Sequence, residues 1–139
     1  MKILLLMPLV SGCTAGAVIS GFHTAYNDCG PVDDPITTID LGLTDPVCQD
    51  ISLVDGLMRI SIYSQNIGFG DSFTIGQDMS AVWCVDEICE SVANGNVEIT
   101  AFEEGIAVSG FYELTLEDGT TFAGDLAAEW CDLEEVICG

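Results

Sequence analysis

The stretch that decides the fold is Ile106–Trp130, IAVSGFYELTLEDGTTFAGDLAAEW. Its apolar residues recur at every second position on both sides of Glu117–Gly119, a pattern typical of two half-buried strands joined by a tight turn. A three-residue loop with Gly119 in the left-handed conformation lets apolar residues face one another across the hairpin. That register pairs Leu116 with Thr120, Leu114 with Phe122, Gly110 with Leu126, Val108 with Ala128, and Ile106 with Trp130.

The alternative loop is a two-residue turn at Asp118-Gly119. It would place Leu114 opposite Ala123 and send Phe122 and Leu126 to the other face. Because a slip of one residue moves a strand's whole apolar set across the sheet, we predict the three-residue loop. One face of the hairpin is then apolar, and the other carries Ser109, Glu113, Thr115, Thr121, Asp125 and Glu129.

Two further hairpins are predicted upstream, at Asp55-Gly56 and Asn94-Gly95, which are favoured turn dipeptides. Pairing outward from each turn keeps apolar residues on one face. The expected pairs are Leu53 with Met58 and Ile51 with Ile60, then Val92 with Val97 and Ile88 with Ala101. Ser52 and Arg59 share the polar face of the first hairpin, so Arg59 is predicted to be a solvated cation.

Shorter apolar runs predict strands at Ala17–Tyr26, Ile39–Leu43, Phe73–Ile75 and Met79–Cys84, with a loop at Gln65–Asp71. Turn signals recur about every 8 to 12 residues, and no helical period is present before Leu126. The sequence therefore predicts an all-β domain of about ten short strands. The expected architecture is an antiparallel β-sandwich or flattened barrel that ends in a meander.

The chain carries 23 acidic residues against two basic ones, Lys2 and Arg59. The acids are spread along the chain and hydrophobic residues make up 49%, which indicates a folded acidic domain and not a disordered segment. Without a basic patch, we expect neither a nucleic-acid partner nor attraction to anionic lipid head groups. Because surface carboxylates repel one another, salt or divalent cations are expected to stabilise the fold.

The chain begins with Met1-Lys2, an apolar run at Ile3–Val10, and Ser11-Gly12-Cys13. One cation, a short apolar core and small residues before a cleavage point are features of an exported signal peptide. The eight-residue run is too short for a bilayer, which needs about 20 residues. Val10–Cys13 resembles the bacterial lipobox, in which the cysteine is lipidated and becomes the new N-terminus.

The lipobox resemblance implies a division of the chain into three parts. Residues 1–12 would be removed, residues 13–16 would form a tether lipidated at Cys13, and residues 17–139 would form a single β domain. The mature part then has 139 − 12 = 127 residues, enough for one domain with its own core. Its formal charge is 1 − 23 = −22 once the N-terminal amine is acylated.

Setting Cys13 aside leaves 7 − 1 = 6 cysteines. An even number in an exported chain predicts three disulfides, although six cysteines allow 15 pairings. The Val85–Ile88 loop has a length that brings Cys84 across from Cys89 on neighbouring strands. The provisional pairing is sequential: Cys29 with Cys48, Cys84 with Cys89, and Cys131 with Cys138. Zinc binding is the disfavoured alternative, because no C-x-x-C is present and there is one histidine.

The segment Asn27–Pro35 is predicted to be a loop from its glycine, proline, aspartate and asparagine content. Its carboxylates Asp28, Asp33 and Asp34 are candidate calcium ligands, although their spacing is not that of an EF-hand. A solvated loop without metal is the favoured interpretation. No other cofactor is predicted.

The chain is not expected to be an enzyme. It has a single histidine, no lysine after the leader, and no G-x-S-x-G or H-E-x-x-H motif. Pairs of carboxylates carry no information here, because 23 acids always offer some. His23 is predicted to be a hydrogen-bonded structural residue in a strand. Trp83, Trp130, Tyr63 and Phe69 are expected to pack in the core or cover strand faces, and not to form a ligand platform.

The second half has a further resemblance. The segments Asn96–Thr100, Ala107–Leu114 and Asp118–Leu126, followed by Cys131, resemble an uncharacterised, myxobacterial-type group of secreted bacterial lipoproteins. In that group a V-x-I-T strand leads into S-G-x-Y-x-L-x-x-x-D-G-x-x-x-x-G and a cysteine follows. The resemblance implies an envelope location and no particular activity.

Together these features predict a lipid-anchored, acidic binding or structural module of the bacterial cell envelope, held at the outer membrane. Its expected partners are the membrane, through the lipid, and an envelope protein, a glycan or a cationic molecule. The alternative is a calcium-stabilised adhesion-like module that uses the Asp28, Asp33 and Asp34 loop. A small envelope enzyme is the least favoured interpretation.

Overall fold

The computed structural model describes residues 16–29, 34–43, 56–63 and 67–131. This part of the chain is all-β and contains eight strands. They are β1 (Phe22–Cys29), β2 (Pro35–Leu43), β3 (Leu57–Ile62), β4 (Ser72–Thr74), β5 (Met79–Val85), β6 (Ile88–Glu103), β7 (Ala107–Leu116) and β8 (Thr121–Trp130). Among these residues no helix is long and apolar enough to cross a membrane.

Seven of the strands close into a barrel, in the order β6-β5-β3-β2-β1-β8-β7, with β7 returning to β6. The short strand β4 pairs with β6 beside β5. All neighbours are antiparallel except β1 and β8, which run parallel where His23 lies opposite Ala128. The expected all-β class is confirmed. Of the two predicted architectures, the barrel is the one observed, and β5 to β8 form its C-terminal antiparallel meander.

The predicted register of the last hairpin is confirmed. Leu114 lies opposite Phe122, and Gly110 lies opposite Leu126. The turn has the expected three-residue form, because Gly119 has a φ of 92° and its N–H donates to the Leu116 carbonyl at 3.0 Å. The even-numbered residues of both strands therefore point into the barrel, as the apolar pattern required.

The predicted hairpin at Asn94-Gly95 is wrong, because β6 runs through this dipeptide without reversing. Gly95 has a φ of 135°, and a Cβ at this position would overlap the carbonyl oxygen of Glu113 on β7. The glycine therefore permits a bulge and a close approach of two strands in place of a turn. The expected pairs across that turn are replaced by pairs between β6 and β7, such as Val97 with Tyr112.

The length of β6 has a structural cause. Residues 88–91 pair with β5, residues 96–98 pair with β4, and residues 92–103 pair with β7. The tight turn before it lies at Asp86 and Glu87, both with positive φ, as in the turns that suit two-residue hairpins. The turn at residues 86–87 is the one predicted from the Val85–Ile88 loop, whereas the additional turn predicted at residues 94–95 is wrong.

Other predictions from the first half have mixed outcomes. The strands over Met79–Cys84 and around Phe73 are confirmed, whereas the first strand begins at Phe22 and extends to Cys29. Ala17 instead forms an isolated parallel bridge with Phe122. The predicted partner strand of β3, with Ile51 and Leu53, lies outside the described residues, and the described partners of β3 are β2 and β5. The predicted count of about ten strands is not confirmed, since the described residues contain eight.

The barrel interior is filled by side chains. The fully buried side chains there include Ile39, Met58, Ile60, Ile99 and Leu114. Each of the remaining strands also contributes buried side chains to this core. Small barrels are wide enough for their own side chains and for little else, so packing of this kind leaves the ends and the outer faces as the places for ligands. The Trp83 ring joins this core against Phe122, with ring centroids 4.5 Å apart.

Candidate functional site

The outer face of the β6–β7–β8 sheet forms an open groove of about 310 Å³. We call it the acidic groove and define it by Asn96, Glu98, Phe111, Glu113 and Asp125, with Ala123 and Gly124 at its floor. Its side chains point outward because they alternate with the buried residues of the barrel wall. The flatness of the floor follows from the small residues on β8.

One cross-strand row organises the acidic groove. Phe111 on β7 lies directly opposite Glu98 on β6 and directly opposite Asp125 on β8. Two strand spacings of about 4.8 Å place the two carboxylate-bearing residues roughly 10 Å apart, with the ring between them. Phe111 is 50% exposed, so its ring is available to a ligand that contacts both carboxylates.

The acidic groove has no internal counter-charge. The basic side chains of the chain are Lys2 and Arg59, and Arg59 is bound to Asp40 on the opposite side of the barrel. Within the described residues, no salt bridge involves Glu98, Glu113 or Asp125. A cation placed over the Phe111 ring would meet the electron-rich ring face and the flanking carboxylates at once.

A second concavity lies at one mouth of the barrel and has a volume of about 190 Å³. We call it the mouth cleft. One wall comes from the β1 and β2 ends, and the opposite wall comes from the end of β6 and the loop before β4. Its lining residues are Asn27, Pro35, Ile36, Thr37, Ile67, Phe102 and Glu104.

The Asp40–Arg59 ion pair links β2 to β3 and lies beside Tyr26 on β1. Asp40 is fully buried, and its Oδ1 accepts a hydrogen bond from Arg59 Nε at 2.9 Å. Burial raises the pKa of Asp40 despite this partner, and it raises the pKa of Tyr26, which also bonds the carboxylate. Burial alone would lower the pKa of Arg59, but Asp40 outweighs it and leaves that pKa above the ordinary value. The prediction that Arg59 is a solvated cation is correct only in part, because 35% of its side chain is exposed and the β2–β3 register places it opposite the buried Asp40.

His23 has the structural role expected of it. Its Nδ1 accepts a hydrogen bond from the Ala127 N–H at 3.1 Å, beside the parallel contact of β1 and β8. Burial lowers the pKa of His23, against a smaller raising effect from the Ile19 backbone. The imidazole of His23 therefore helps to hold β1 against β8.

Four of the cysteines lie among the described residues, and all four are disulfide-bonded. The structure contains the Cys84–Cys89 disulfide, between residues that pair across β5 and β6, as the short loop between them predicted. Cys29 and Cys131 are also disulfide-bonded. Cys13, Cys48 and Cys138 lie outside the described residues, so lipidation of Cys13 and the two other sequential pairings stay predictions.

The three candidate calcium ligands are not seen together. Asp28 belongs to β1, and its Oδ1 accepts a hydrogen bond from the Cys29 N–H at 2.8 Å. The prediction of a loop starting at residue 27 is therefore wrong at its beginning. Asp34 is exposed just before β2, and Asp33 lies outside the described residues. In the described part of the chain, no group of three or more His, Cys, Asp or Glu side chains could hold a metal ion.

The aromatic residues named from the sequence take different positions. Trp83 packs against the core, and Trp130 packs edge-on against Phe102 with centroids 6.0 Å apart. The Tyr63 hydroxyl and the Ser80 hydroxyl lie 2.6 Å apart, at the surface. Phe69 is 84% exposed on a turn in which the Gly68 N–H donates to Asp71, so it neither packs in the core nor covers a strand.

The row Glu98–Phe111–Asp125 was not predicted from the sequence, although one part of its signal was present. Phe111 has the same strand parity as Glu113 and Ser109, so the confirmed hairpin register already places it on the polar face. Glu98 could not be placed beside Phe111, because the wrongly predicted turn at Asn94-Gly95 left β6 without its pairing to β7.

Comparison of the chain with protein-family models, with curated proteins and with solved structures gave no match.

Proposed function

We propose that this protein is an exported, acidic β-barrel module of the bacterial cell envelope that binds a cationic partner at the acidic groove. Lipid on Cys13 would anchor it at the outer membrane after removal of residues 1–12, with residues 13–16 as a tether and residues 17–139 as a single β domain. The observation that carries the binding proposal is the row Glu98–Phe111–Asp125, in which an exposed ring lies between two carboxylates.

Two features support binding over a purely structural role. The Phe111 ring is exposed on a sheet face, although burial would stabilise it. The flanking carboxylates repel one another and have no basic neighbour in the described contacts. A lysine- or arginine-bearing partner would relieve both conditions, through a cation–π contact and two ion pairs.

The proposed partner is a protein with exposed basic side chains, and the probe for it is an acetylated and amidated tri-lysine peptide. The double variant Glu98→Gln/Asp125→Asn should weaken its binding about tenfold at low salt, since each partly exposed ion pair contributes up to about 1 kcal/mol. Phe111→Ala should weaken it as well, because the cation–π contact is lost.

The matched control is Glu87→Gln/Glu117→Gln, which removes the same two charges from exposed turns. If the peptide senses only the net charge of the protein, the two double variants will lose affinity equally, and the acidic groove is then not the binding site. A tri-glutamate peptide should not bind either protein.

The anchor has its own test. The full chain, recovered from the membrane fraction of a bacterial host, should have an intact mass that starts at Cys13 and includes acyl chains. Its six remaining cysteines should become alkylated only after reduction. An unprocessed chain starting at Met1 with free thiols would contradict export and would leave the groove proposal to be judged separately.

A further inference from the structure

The first described residues of the chain are fixed to one end of the barrel. The Ala17 N–H donates to the Thr121 carbonyl at 3.0 Å, and the Ala17 carbonyl accepts from the Ala123 N–H at 3.0 Å. Two positions further along the chain, the N–H of the buried Ile19 donates to the Tyr112 hydroxyl at 3.0 Å. The N-terminal side of the domain therefore has a defined position, beside the first residues of β8.

This position identifies one end of the barrel. The Glu117–Gly119 turn, which leads into β8, lies there. The turn at residues 86–87 lies at the same end, because Val92 near the start of β6 pairs with Leu116 at the end of β7. We call this end the tether end and define it by Ala17 and these two turns. The opposite end, which we call the mouth end, contains the mouth cleft and the turn between β6 and β7.

A lipid on Cys13 would act through a short length of chain. Four positions separate Cys13 from Ala17, so their Cα atoms lie within roughly 14 Å of one another at about 3.3–3.6 Å per residue. Ala17 forms a bridge with Phe122, and eight positions separate Phe122 from Trp130 at the other end of β8. With strands tilted by about 40°, these eight positions span roughly 20 Å along the barrel axis. Cys13 therefore cannot reach the surface of a bilayer on which the mouth end rests.

Exposed apolar side chains favour the tether end over the acidic side of the barrel as the surface that meets a bilayer. Val18 is 69% exposed next to Ala17, and Ile88 is 74% exposed directly opposite Val85 at the start of β6. Contact with the boundary between headgroups and acyl chains would remove this apolar surface from water. By contrast, the exposed Phe111 on the side of the barrel lies between two carboxylates.

The charges of the tether end select the kind of lipid. Its two turns carry Asp86, Glu87, Glu117 and Asp118. The basic side chain among the described residues, Arg59, is already in an ion pair. Carboxylates are repelled by anionic headgroups, whereas the ammonium groups of zwitterionic phospholipids attract them at short range. The two turns are therefore expected at the level of zwitterionic headgroups.

We infer that the tether end is a membrane-contact surface for zwitterionic phospholipid headgroups, and that the mouth cleft faces away from the bilayer. This inference rests on the proposed function, because it requires lipid on Cys13. It also gives the acidic groove a height above the bilayer. Phe111 precedes Leu116 by five positions, which places the groove roughly 12 Å from the tether end with the same strand tilt. A basic partner would then reach the groove from the side, above the headgroups.

The test uses the full chain in its lipidated form, purified from the membrane fraction of a bacterial host and placed in phosphatidylcholine nanodiscs. A fraction of the lipid carries a nitroxide on its headgroup, which broadens the NMR signals of nearby nuclei. The backbone amides of Glu87 and Glu117 report on the tether end, and those of Glu103 and Ala107 report on the mouth end. Nanodiscs without nitroxide give the reference intensity of each amide.

The amides of Glu87 and Glu117 should lose most of their intensity, whereas those of Glu103 and Ala107 should keep it. The matched control has about 20 glycine and serine residues inserted after Thr14, a flexible linker with a root-mean-square length of roughly 25 Å. The barrel then turns more freely, so the losses at the two ends should become similar. Phosphatidylglycerol in place of phosphatidylcholine should weaken the losses at the tether end at low salt, because its headgroups repel the carboxylates.

The inference is overturned if both ends lose intensity equally in the chain without the insertion, or if the mouth end loses more. It is also overturned if the inserted linker changes nothing, or if phosphatidylglycerol strengthens the losses at the tether end. Its failure is separable from that of the proposed function. A chain that carries acyl groups on Cys13 but shows uniform broadening contradicts the orientation alone, and tri-lysine binding at the acidic groove is measured independently. A chain without acyl groups contradicts the anchor and this inference together.

Discussion

Arg59 Nε and Asp40 Oδ1 lie 2.9 Å apart and join β3 to β2 across the wall of the barrel. The Asp40 side chain is fully buried, whereas 35% of the Arg59 side chain is exposed. The one strong cation of the proposed mature chain is thus used within the fold. Glu98, Glu113 and Asp125 of the acidic groove take part in no salt bridge within the described residues.

Removal of Arg59 should leave the buried carboxylate of Asp40 without its ion-pair partner. Arg59→Met is expected to lower the free energy of unfolding by about 2–3 kcal/mol near neutral pH, less than for a fully buried pair because Arg59 is partly exposed. Adding Asp40→Asn to that variant should restore at least half of the loss, because the amide removes the unpaired charge and its oxygen still accepts from Tyr26. Urea unfolding of the single and double variants measures both effects. A double variant less stable than Arg59→Met would contradict this account.

The same pair predicts a pH dependence. The folded-state pKa of Asp40 is raised, mainly by burial, so its contribution to stability is largest below the unfolded-state pKa of about 3.9 and is lost as the pH rises through the folded-state pKa. The penalty of Arg59→Met should therefore shrink as the pH falls, because the stranded carboxyl takes up a proton. Unfolding midpoints of wild type and Arg59→Met across the acidic range test this, and a constant difference would contradict it.

His23 should show the opposite dependence. Burial lowers its folded-state pKa, so its contribution is present above the unfolded-state pKa of about 6.5 and is lost as the pH falls through the lower folded-state pKa. The variant His23→Asn has a side-chain oxygen that can still accept from the Ala127 N–H but cannot titrate. The stability of wild type relative to His23→Asn should decrease on acidification, as measured by thermal melts at matched pH values. An unchanged difference would show that the imidazole is not held neutral.

The continuity of β6 can be tested with two glycines. Gly95→Ala combines a backbone conformation that strongly favours glycine with overlap against the Glu113 carbonyl, and we expect it to destabilise the fold by at least about 3 kcal/mol. Gly105→Ala also has a positive φ, but nothing lies within 4 Å of the added Cβ, so about 1–2 kcal/mol is expected. Equal losses in chemical denaturation would indicate that β6 and β7 do not approach closely at Gly95.

Salt should stabilise the domain without a specific metal. Sodium chloride screens the repulsion among surface carboxylates over a Debye length of about 8 Å at physiological ionic strength, so the melting temperature should rise with salt. Calcium at matched ionic strength should add nothing if Asp28, Asp33 and Asp34 do not form a site. An extra rise at micromolar to millimolar calcium would support the calcium-stabilised module in place of this account.

The sequence was sufficient to predict the parts of the fold in which the interacting residues are close together in the chain. The hairpin from Ile106 to Trp130 has both strands, its loop and its apolar face within one short stretch, so one register satisfied all of them. The Cys84–Cys89 pair was visible for the same reason, since five positions separate its members.

The remaining features depend on strands that are distant in sequence. The strand β6 continues past Gly95 because β7 approaches this glycine closely. The Asn94-Gly95 dipeptide by itself predicts a turn and gives no information about the approach of β7. The Asp40–Arg59 pair requires the β2–β3 register, and the closure of the barrel requires β1 to meet β8 across most of the chain. The acidic groove could be predicted only in part for the same reason. The register of the last hairpin places Phe111 and Asp125 on one face, but it gives no position for Glu98.

The most direct test of the central claim is an amide chemical-shift map of the domain titrated with the tri-lysine peptide. The account predicts that the largest shifts cluster at Glu98, Phe111, Glu113 and Asp125 and saturate together. It also predicts that the exposed turn residues Glu87 and Glu117 shift little. Small, non-saturating shifts spread evenly over all surface carboxylates would show a diffuse ionic atmosphere and would contradict a binding site on the β6–β7–β8 face.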